Sequence, residues 1–143
     1  NKGKTTDADI NPNYIRPKMF MFRLQKLMDE YAAGVSAQFS TNKFLLEKGM
    51  ELLTFLREDS AKLGAEDLHE LMRCHENIQR MWQAEVHVRT IMEREETRWP
   101  GYYYRADFPK MDEDNWKCFV NATYNRDKDE WTMDKRPVHS FRD

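Results

Sequence analysis

The stretch Glu96-Thr97-Arg98-Trp99-Pro100-Gly101-Tyr102-Tyr103-Tyr104-Arg105-Ala106-Asp107-Phe108-Pro109, running on to Asp112-Glu113-Asp114-Asn115-Trp116, divides the chain into two kinds of sequence. The residue ahead of a proline is driven out of the α region, proline cannot extend a helix, and Gly101 permits a sharp turn. A long helix has to stop here, after Arg98, and an aromatic run is presented on irregular backbone.

Upstream, the apolar residues keep helical time. Pro17 suits a first turn, and Phe20, Leu24, Leu27, Met28 and Tyr31 recur at three-and-four spacing, predicting a helix that ends near Gly34. Ser40, Thr41 or Asn42 can cap a second helix whose stripe is Leu45, Leu46, Leu52, Leu53, Leu56 and Leu63, with Gly64 as a natural stop. Asp67 can cap a third, carrying Leu68, Leu71, Met72, Ile78, Met81, Trp82, Val88, Ile91 and Met92, long enough to expect a bend or interruption near Cys74 to Asn77. Short loops place successive helices antiparallel.

Downstream the alphabet changes. Asp112 to Trp116 can form a short helical turn. Trp116-Lys117-Cys118-Phe119-Val120-Asn121-Ala122-Thr123-Tyr124 is rich in strand formers, Asn125 to Glu130 is polar, and Trp131-Thr132-Met133 resumes strand character, which predicts a β-hairpin. The expected fold is mainly α: an antiparallel three-helix bundle over 17–98, followed by an irregular aromatic segment and a C-terminal β-hairpin over 99–143 that pack on it, one domain in all. Residues 1–16 read as a disordered or extended tail. The polar start without methionine suggests a cut end or, alternatively, a processed small protein.

Bulk properties narrow the function. At 143 residues with 34% charged side chains and a net charge of -2, neither nucleic-acid binding nor an acidic tail is suggested. No apolar run approaches the roughly 20 residues of a membrane span, and no leader pattern is visible, so a soluble, cytoplasmic location is expected. Cys74 and Cys118 form no disulfide framework or zinc ribbon, consistent with a reducing compartment.

Chemistry is sparse. His69 and Cys74 are five apart and His75 and His87 twelve apart, not the spacing that puts two ligands on one helical face, so no metal site is expected. Glu95 and Glu96 are adjacent and so diverge on a helix. The run Glu93 to Arg98 reads as a solvated helix end, with Arg98 at the negative pole of the helix dipole. No nucleophile has a visible base, and five glycines, none clustered, leave no phosphate loop. No catalytic or cofactor-binding residue is therefore named. Met19, Met21, Met28, Met50, Met72, Met81 and Met92 are assigned to the core or to a buried interface. In an extended segment Tyr102 and Tyr104 project opposite to Tyr103, so the run either seals the bundle's own end or docks a partner.

The order Glu-Thr-Arg, a glycine, Arg105-Ala106-Asp107-Phe108-Pro109 and Asp112-Glu113-Asp114-Asn115-Trp116 resembles the C-terminal helical domain of the succinate dehydrogenase and fumarate reductase flavoprotein superfamily. There the usual run is Glu-Ser-Arg-Gly-Ala-His, Arg-Glu-Asp-Tyr-Pro, Asp-Asp-x-Asn-Trp. Here Trp99-Pro100-Gly101-Tyr102-Tyr103-Tyr104 replaces Gly-Ala-His, which is similar to the dissimilatory adenylylsulfate reductase branch, alpha subunit. Asn115 to Asn121, and Glu130-Trp131-Thr132-Met133 through Arg136-Pro137, are similar to that subunit's end. The resemblance spans about Pro17 to Pro137 and implies an FAD enzyme that reduces adenosine 5'-phosphosulfate to sulfite and AMP, or runs in reverse. Reduced flavin would attack sulfur, with electrons from a beta subunit carrying iron-sulfur clusters. The implied partners are the flavin domain of the same polypeptide and that beta subunit, and the implied interface residues are Arg98, Trp99, Tyr102, Tyr103, Tyr104, Arg105 and Asp107. A free-standing protein-interaction module and a dicarboxylate enzyme of the same superfamily are the alternatives, the second disfavoured by the missing Gly-Ala-His.

Overall fold

A computed structural model of the chain describes residues 13–98 and 103–139. Three helices come first: α1 (Pro17–Tyr31), α2 (Lys43–Asp59) and α3 (Leu68–Glu93), with a two-residue strand β1 (Ser40–Thr41) between α1 and α2. Beyond α3 follow β2 (Tyr104–Arg105), a single turn α4 (Glu113–Trp116), and strands β3 (Cys118–Asn125) and β4 (Glu130–Pro137). The mainly helical architecture closed by a C-terminal strand pair is the one the sequence predicts.

The helices begin where their caps are. Pro17 opens α1 with its fixed φ, the Asn42 side chain accepts from Leu45 N at 2.9 Å to start α2, and Asp67 accepts from Glu70 N at 2.7 Å to start α3. Phe20, Leu24, Leu27, Leu46, Leu53, Leu56, Met81, Val88 and Ile91 are buried as one cluster. Arg23 bonds Asp59, so the middle of α1 lies beside the end of α2, while Asn77 Nδ2 donates to Pro17 O at 2.7 Å and ties the start of α1 to α3. The second helix thus runs against the other two. Gly49 sits where a Cβ would lie 3.1 Å from Tyr31 Cβ, so its lack of a side chain allows α1 and α2 to cross closely.

Helix ends depart from expectation. The first helix stops at Tyr31, before Gly34, and the next residues close the turn with Ala33 at φ 60°, Gln38 at 54° and Phe39 at 59°. Gly34 serves a different need: a Cβ there would fall 2.3 Å from Asp29 Cα. The second helix ends at Asp59 and passes through a 3-10 turn, Ser60–Lys62, before reaching Gly64. No break occurs near Cys74 to Asn77, because α3 is one helix of 26 residues. Asn77 interrupts the apolar stripe without interrupting the helix, since it is buried and its amide is satisfied by Pro17. The third helix ends at Glu93, five residues short of Arg98.

The methionines divide. Met81 is buried and Met28, Met50 and Met92 pack against the core, but Met19 and Met72 are half exposed and contribute nothing to it. Helical spacing marks a face, not its depth.

The hairpin pairs Cys118 with Pro137 through Asn125 with Glu130. Two strands alone are marginal in water, and this pair is held by α3. Trp82, Tyr124 and Trp131 form a ring cluster with centroids 5.0, 4.9 and 6.5 Å apart, and Trp131 Nε1 donates to Glu85 Oε1 at 2.9 Å. Arg57 stacks on Trp82 and bonds Asp129 in the hairpin turn.

Candidate functional site

The ends of α1 and α3, the start of α2 and the chain beyond α3 meet at one end of the bundle. Arg105 occupies the centre and is fully buried. Its Nη1 donates to the carbonyls of Ile91, Met92 and Arg94 at 2.6, 3.3 and 3.1 Å, supplying a cap to the orphan carbonyls at the end of α3. Its Nε and Nη2 hold Asp107 in a fork at 2.8 and 2.7 Å. Asp107 in turn accepts from Lys43 N at 3.1 Å, at the positive end of α2. One ion pair therefore joins the C-terminus of one helix to the N-terminus of another, each charge at the pole that favours it. The hydrogen bonds from Arg105 hold the Asp107 carboxyl below its ordinary value.

Glu96 is the second centre, and it too is fully enclosed. It accepts from Arg94 at 2.5 Å, from Arg98 at 2.6 and 3.1 Å, and from Asp112 N at 2.9 Å. Burial alone would raise its carboxyl, but the Arg98, Asp112 and Arg94 hydrogen bonds outweigh it and the net shift is downward. Arg94 also donates to Trp116 O and Cys118 O, at 2.8 and 2.7 Å, carrying the network to the root of the hairpin. Thr97 receives Arg105 N and gives its hydroxyl to Phe108 O at 2.8 Å. The strands β1 and β2 pair in parallel, Ser40 with Tyr104 and Thr41 with Arg105, which sews the far segment to the turn between α1 and α2.

Each expected interface residue has a definite place, where the structure describes it. Arg98 does not sit at the dipole of α3; Arg105 has that position, and Arg98 spans Glu96 and Glu113 instead. The physical reason is reach: a side chain returning from downstream can align with the helix axis, whereas Arg98 follows a turn that leads away. Tyr103 lies against the core, its hydroxyl 3.5 Å from Ile91 O, and burial pushes it up to about 12. Tyr104 points the other way and is exposed. Trp99 and Tyr102 fall outside the described residues. The sequence reading missed Glu96 and Thr97 as buried hubs. Only their position after a helix that a proline must end distinguishes them from solvated residues.

Beside this network lies a cleft of about 540 Å³. Ala32, Ala33, Ile91, Tyr103, Trp116, Phe119 and Val138 give it an apolar lining, with Arg94, Arg98, Lys117 and an exposed His87 around it. Trp116 is clamped between Lys135, 3.3 Å from its ring centroid, and Arg94 at 5.6 Å. Among the described residues, the lining contains no glycine, so it offers no glycine-rich turn of the kind that holds a dinucleotide pyrophosphate. Among the described residues no group of three or more His, Cys, Asp or Glu could hold a metal, and no helix is long and apolar enough to cross a membrane.

Comparison with known proteins agrees with the motif order. Residues 21–142 match the family model described as fumarate reductase flavoprotein C-term. The chain is 50% identical over 140 residues to the adenylylsulfate reductase subunit alpha of Megalodesulfovibrio gigas, spanning 98% of this chain and 21% of that protein. The adenylylsulfate reductase structure from Archaeoglobus fulgidus superposes with TM-score 0.89 at 54% identity, covering 92% of this chain and 21% of that one. An adenosine-5-phosphosulfate reductase in complex with sulfite as a covalent adduct gives the same values. The Sdh1 complex of Mycobacterium smegmatis, at 17% identity and TM-score 0.69, shares the fold alone.

Proposed function

Because this chain belongs to the C-terminal family of fumarate reductase-type flavoproteins, we propose that it is the C-terminal domain of an adenylylsulfate reductase alpha subunit and serves that enzyme as a structural and interface element. The observation that carries the branch is the 54% identity at TM-score 0.89 to adenylylsulfate reductase, against 17% to the Sdh1 complex, which shares the fold alone. The chain spans about a fifth of the length of the relatives it matches. The activity therefore belongs to the whole subunit: reduction of adenosine 5'-phosphosulfate to sulfite and AMP, or the reverse, on FAD held upstream, with an iron-sulfur beta subunit delivering electrons and a cytoplasmic location. FAD supplies the two-electron chemistry when bound. What this chain contributes is a rigid end: Arg105 and Asp107 lock two helix termini together, and Glu96 fixes Arg94 and Arg98, so that Tyr104 is presented on a firm base.

Arg98, Tyr104 and Asp107 remain partly accessible at this end and are the described members of the expected interface that can touch a neighbour. Arg105 and Tyr103 act from beneath, by positioning. The test is the complete open reading frame and its product. The expected result is an in-frame upstream dinucleotide-binding region and a purified subunit, with its iron-sulfur partner, that forms AMP and sulfite from adenosine 5'-phosphosulfate. A subunit that binds stoichiometric FAD but reduces only a dicarboxylate would move the chain to the other branch. Stoichiometric flavin on this chain alone would overturn the assignment of a purely structural role.

A further inference from the structure

The cluster that fastens the hairpin to the bundle lies apart from the junction network. Trp82 of α3, Tyr124 of β3 and Trp131 of β4 form a chain of rings, with centroids 5.0 Å apart from Trp82 to Tyr124 and 4.9 Å from Tyr124 to Trp131. Rings at this separation are in van der Waals contact, close enough for an electron to pass between their π systems. Their polar surroundings go beyond what packing needs. The Tyr124 hydroxyl donates to Asp129 Oδ1 at 2.6 Å and Trp131 Nε1 donates to Glu85 Oε1 at 2.9 Å, so both acidic ring protons face a carboxylate. Arg57 lies 4.7 Å from the Trp82 centroid and Arg89 lies 5.5 Å from that of Trp131. Arg57 also holds Asp129 in place at 2.8 Å and reaches the Tyr124 hydroxyl at 3.3 Å.

Loss of an electron from a tryptophan ring leaves a radical cation, which a guanidinium over the same ring opposes by Coulomb repulsion. A phenol that gives up its proton together with the electron stays neutral. The cluster is therefore graded: an electron hole on either indole gains by moving to Tyr124, whose proton is already within transfer distance of Asp129. Trp131 is the poorer end point, because Arg89 lies over its ring and its acceptor Glu85 already takes two bonds from Arg89, at 3.0 and 2.8 Å.

We propose that Tyr124 is a redox-active tyrosine, to which Trp82 and Trp131 relay oxidising equivalents and whose proton passes to Asp129. The reaction partner is a one-electron oxidant of the free-radical class at the surface of the domain. One electron leaves Tyr124 through an indole and reduces that oxidant, the phenol O–H bond breaks, the proton goes to Asp129 Oδ1, and a neutral phenoxyl radical remains. In the reverse step a thiolate in solution supplies one electron and becomes a thiyl radical, as Asp129 hands the proton back. The Asp129 side chain is 61% exposed, so this end of the cluster meets solvent. This role is independent of the substrate that the whole subunit reduces.

The experiment uses the full-length subunit with Gln83→Cys, an exposed position next to Trp82, carrying a ruthenium tris(bipyridine) sensitiser that becomes the one-electron oxidant after a light flash with a sacrificial acceptor. Peptide mass spectrometry confirms the labelled site against native Cys74 and Cys118, and circular dichroism confirms that each variant is folded. Electron paramagnetic resonance is recorded with ordinary and with ring-deuterated tyrosine, which narrows a tyrosyl signal and leaves a flavin signal unchanged. The expected result is a tyrosyl radical that is lost in Tyr124→Phe. In Asp129→Asn it should form about a hundredfold more slowly, the low end of what a positioned proton acceptor contributes. Asparagine tolerates the left-handed backbone of residue 129, φ 52°, so this variant preserves the turn. Should Tyr124→Phe loosen the hairpin, the rate in Asp129→Asn decides alone. A tyrosyl signal undiminished in Tyr124→Phe, an unchanged rate in Asp129→Asn, or tryptophan radicals alone in the parent each overturn the proposal.

Discussion

The three-helix core and the junction beyond α3 are both buried, yet they are held by different forces. In the core, Phe20, Leu24, Leu46, Leu53, Leu56 and Val88 form one apolar cluster. In the junction, Arg105, Asp107, Glu96, Arg94 and Thr97 are joined by charge-assisted hydrogen bonds to each other and to helix-terminal backbone. Apolar packing is non-directional and tolerates substitution of similar volume. A buried ion pair is stabilising only while all of its partners are present, and the loss of one leaves a desolvated charge behind. The two regions should therefore fail in different ways.

The largest effect is expected at the centre of the junction. Arg105→Ala empties a fully enclosed site, leaves the carbonyls at the end of α3 without their donor and frees the partly exposed Asp107 from its fork, and it should cost about 3–5 kcal/mol by urea denaturation. Arg105→Lys should recover only a minor part, because an ammonium cannot hold the Asp107 fork and the Ile91 carbonyl together. Full recovery by lysine would show that charge, not geometry, holds the junction.

In the core, Leu53→Ala should cost about 2–5 kcal/mol through lost burial and a cavity. Leu53→Met should stay under about 1.5 kcal/mol in the same urea series. The contrast between this tolerated exchange and the untolerated one at Arg105 is the sharpest measure of the difference between the regions. Similar losses from both would erase it.

The junction should respond to acid. The folded Glu96 carboxyl lies below its ordinary value near 4.5, so its stabilisation is complete above that pH and is lost as the pH falls through the folded value. Stability of the parent should decline on the acid side of 4.5, and Glu96→Gln should flatten that slope while lowering the plateau at neutral pH. An unchanged acid slope in the variant would locate the sensitivity elsewhere. The smallest effect is at the start of α2, where Asn42→Ala should cost about 1 kcal/mol by removal of the cap on Leu45 N.

Legibility in the sequence followed the same divide. Asn42 and Asp67 mark their helix starts because a cap is a contact between residues only a few positions apart, and Pro17 marks its own through its fixed φ. The hairpin could be read for the same reason, its strands separated by a short polar turn. The end of α3 could not. Pro100 sets only the last place a helix could reach, and the earlier stop at Glu93 depends on Arg105 returning to take the carbonyls of Ile91 and Met92. Glu96 looked like part of a solvated charge run because nothing local shows that Arg94, Arg98 and Asp112 N converge on it. Met19 and Met72 erred the other way, since a helical period does not tell a covered face from an open one.

The sequence by itself determined the helix starts, the apolar stripes, the hairpin and, through the order of motifs after Glu96, the family. These are local patterns, or strings matched as strings. Tertiary structure alone decided where α3 ends, which arginine serves its dipole, that Glu96 is a buried hub, and that a cleft opens beside Tyr103, because each depends on residues distant in sequence arriving at one place and on the directionality of the hydrogen bonds they make there.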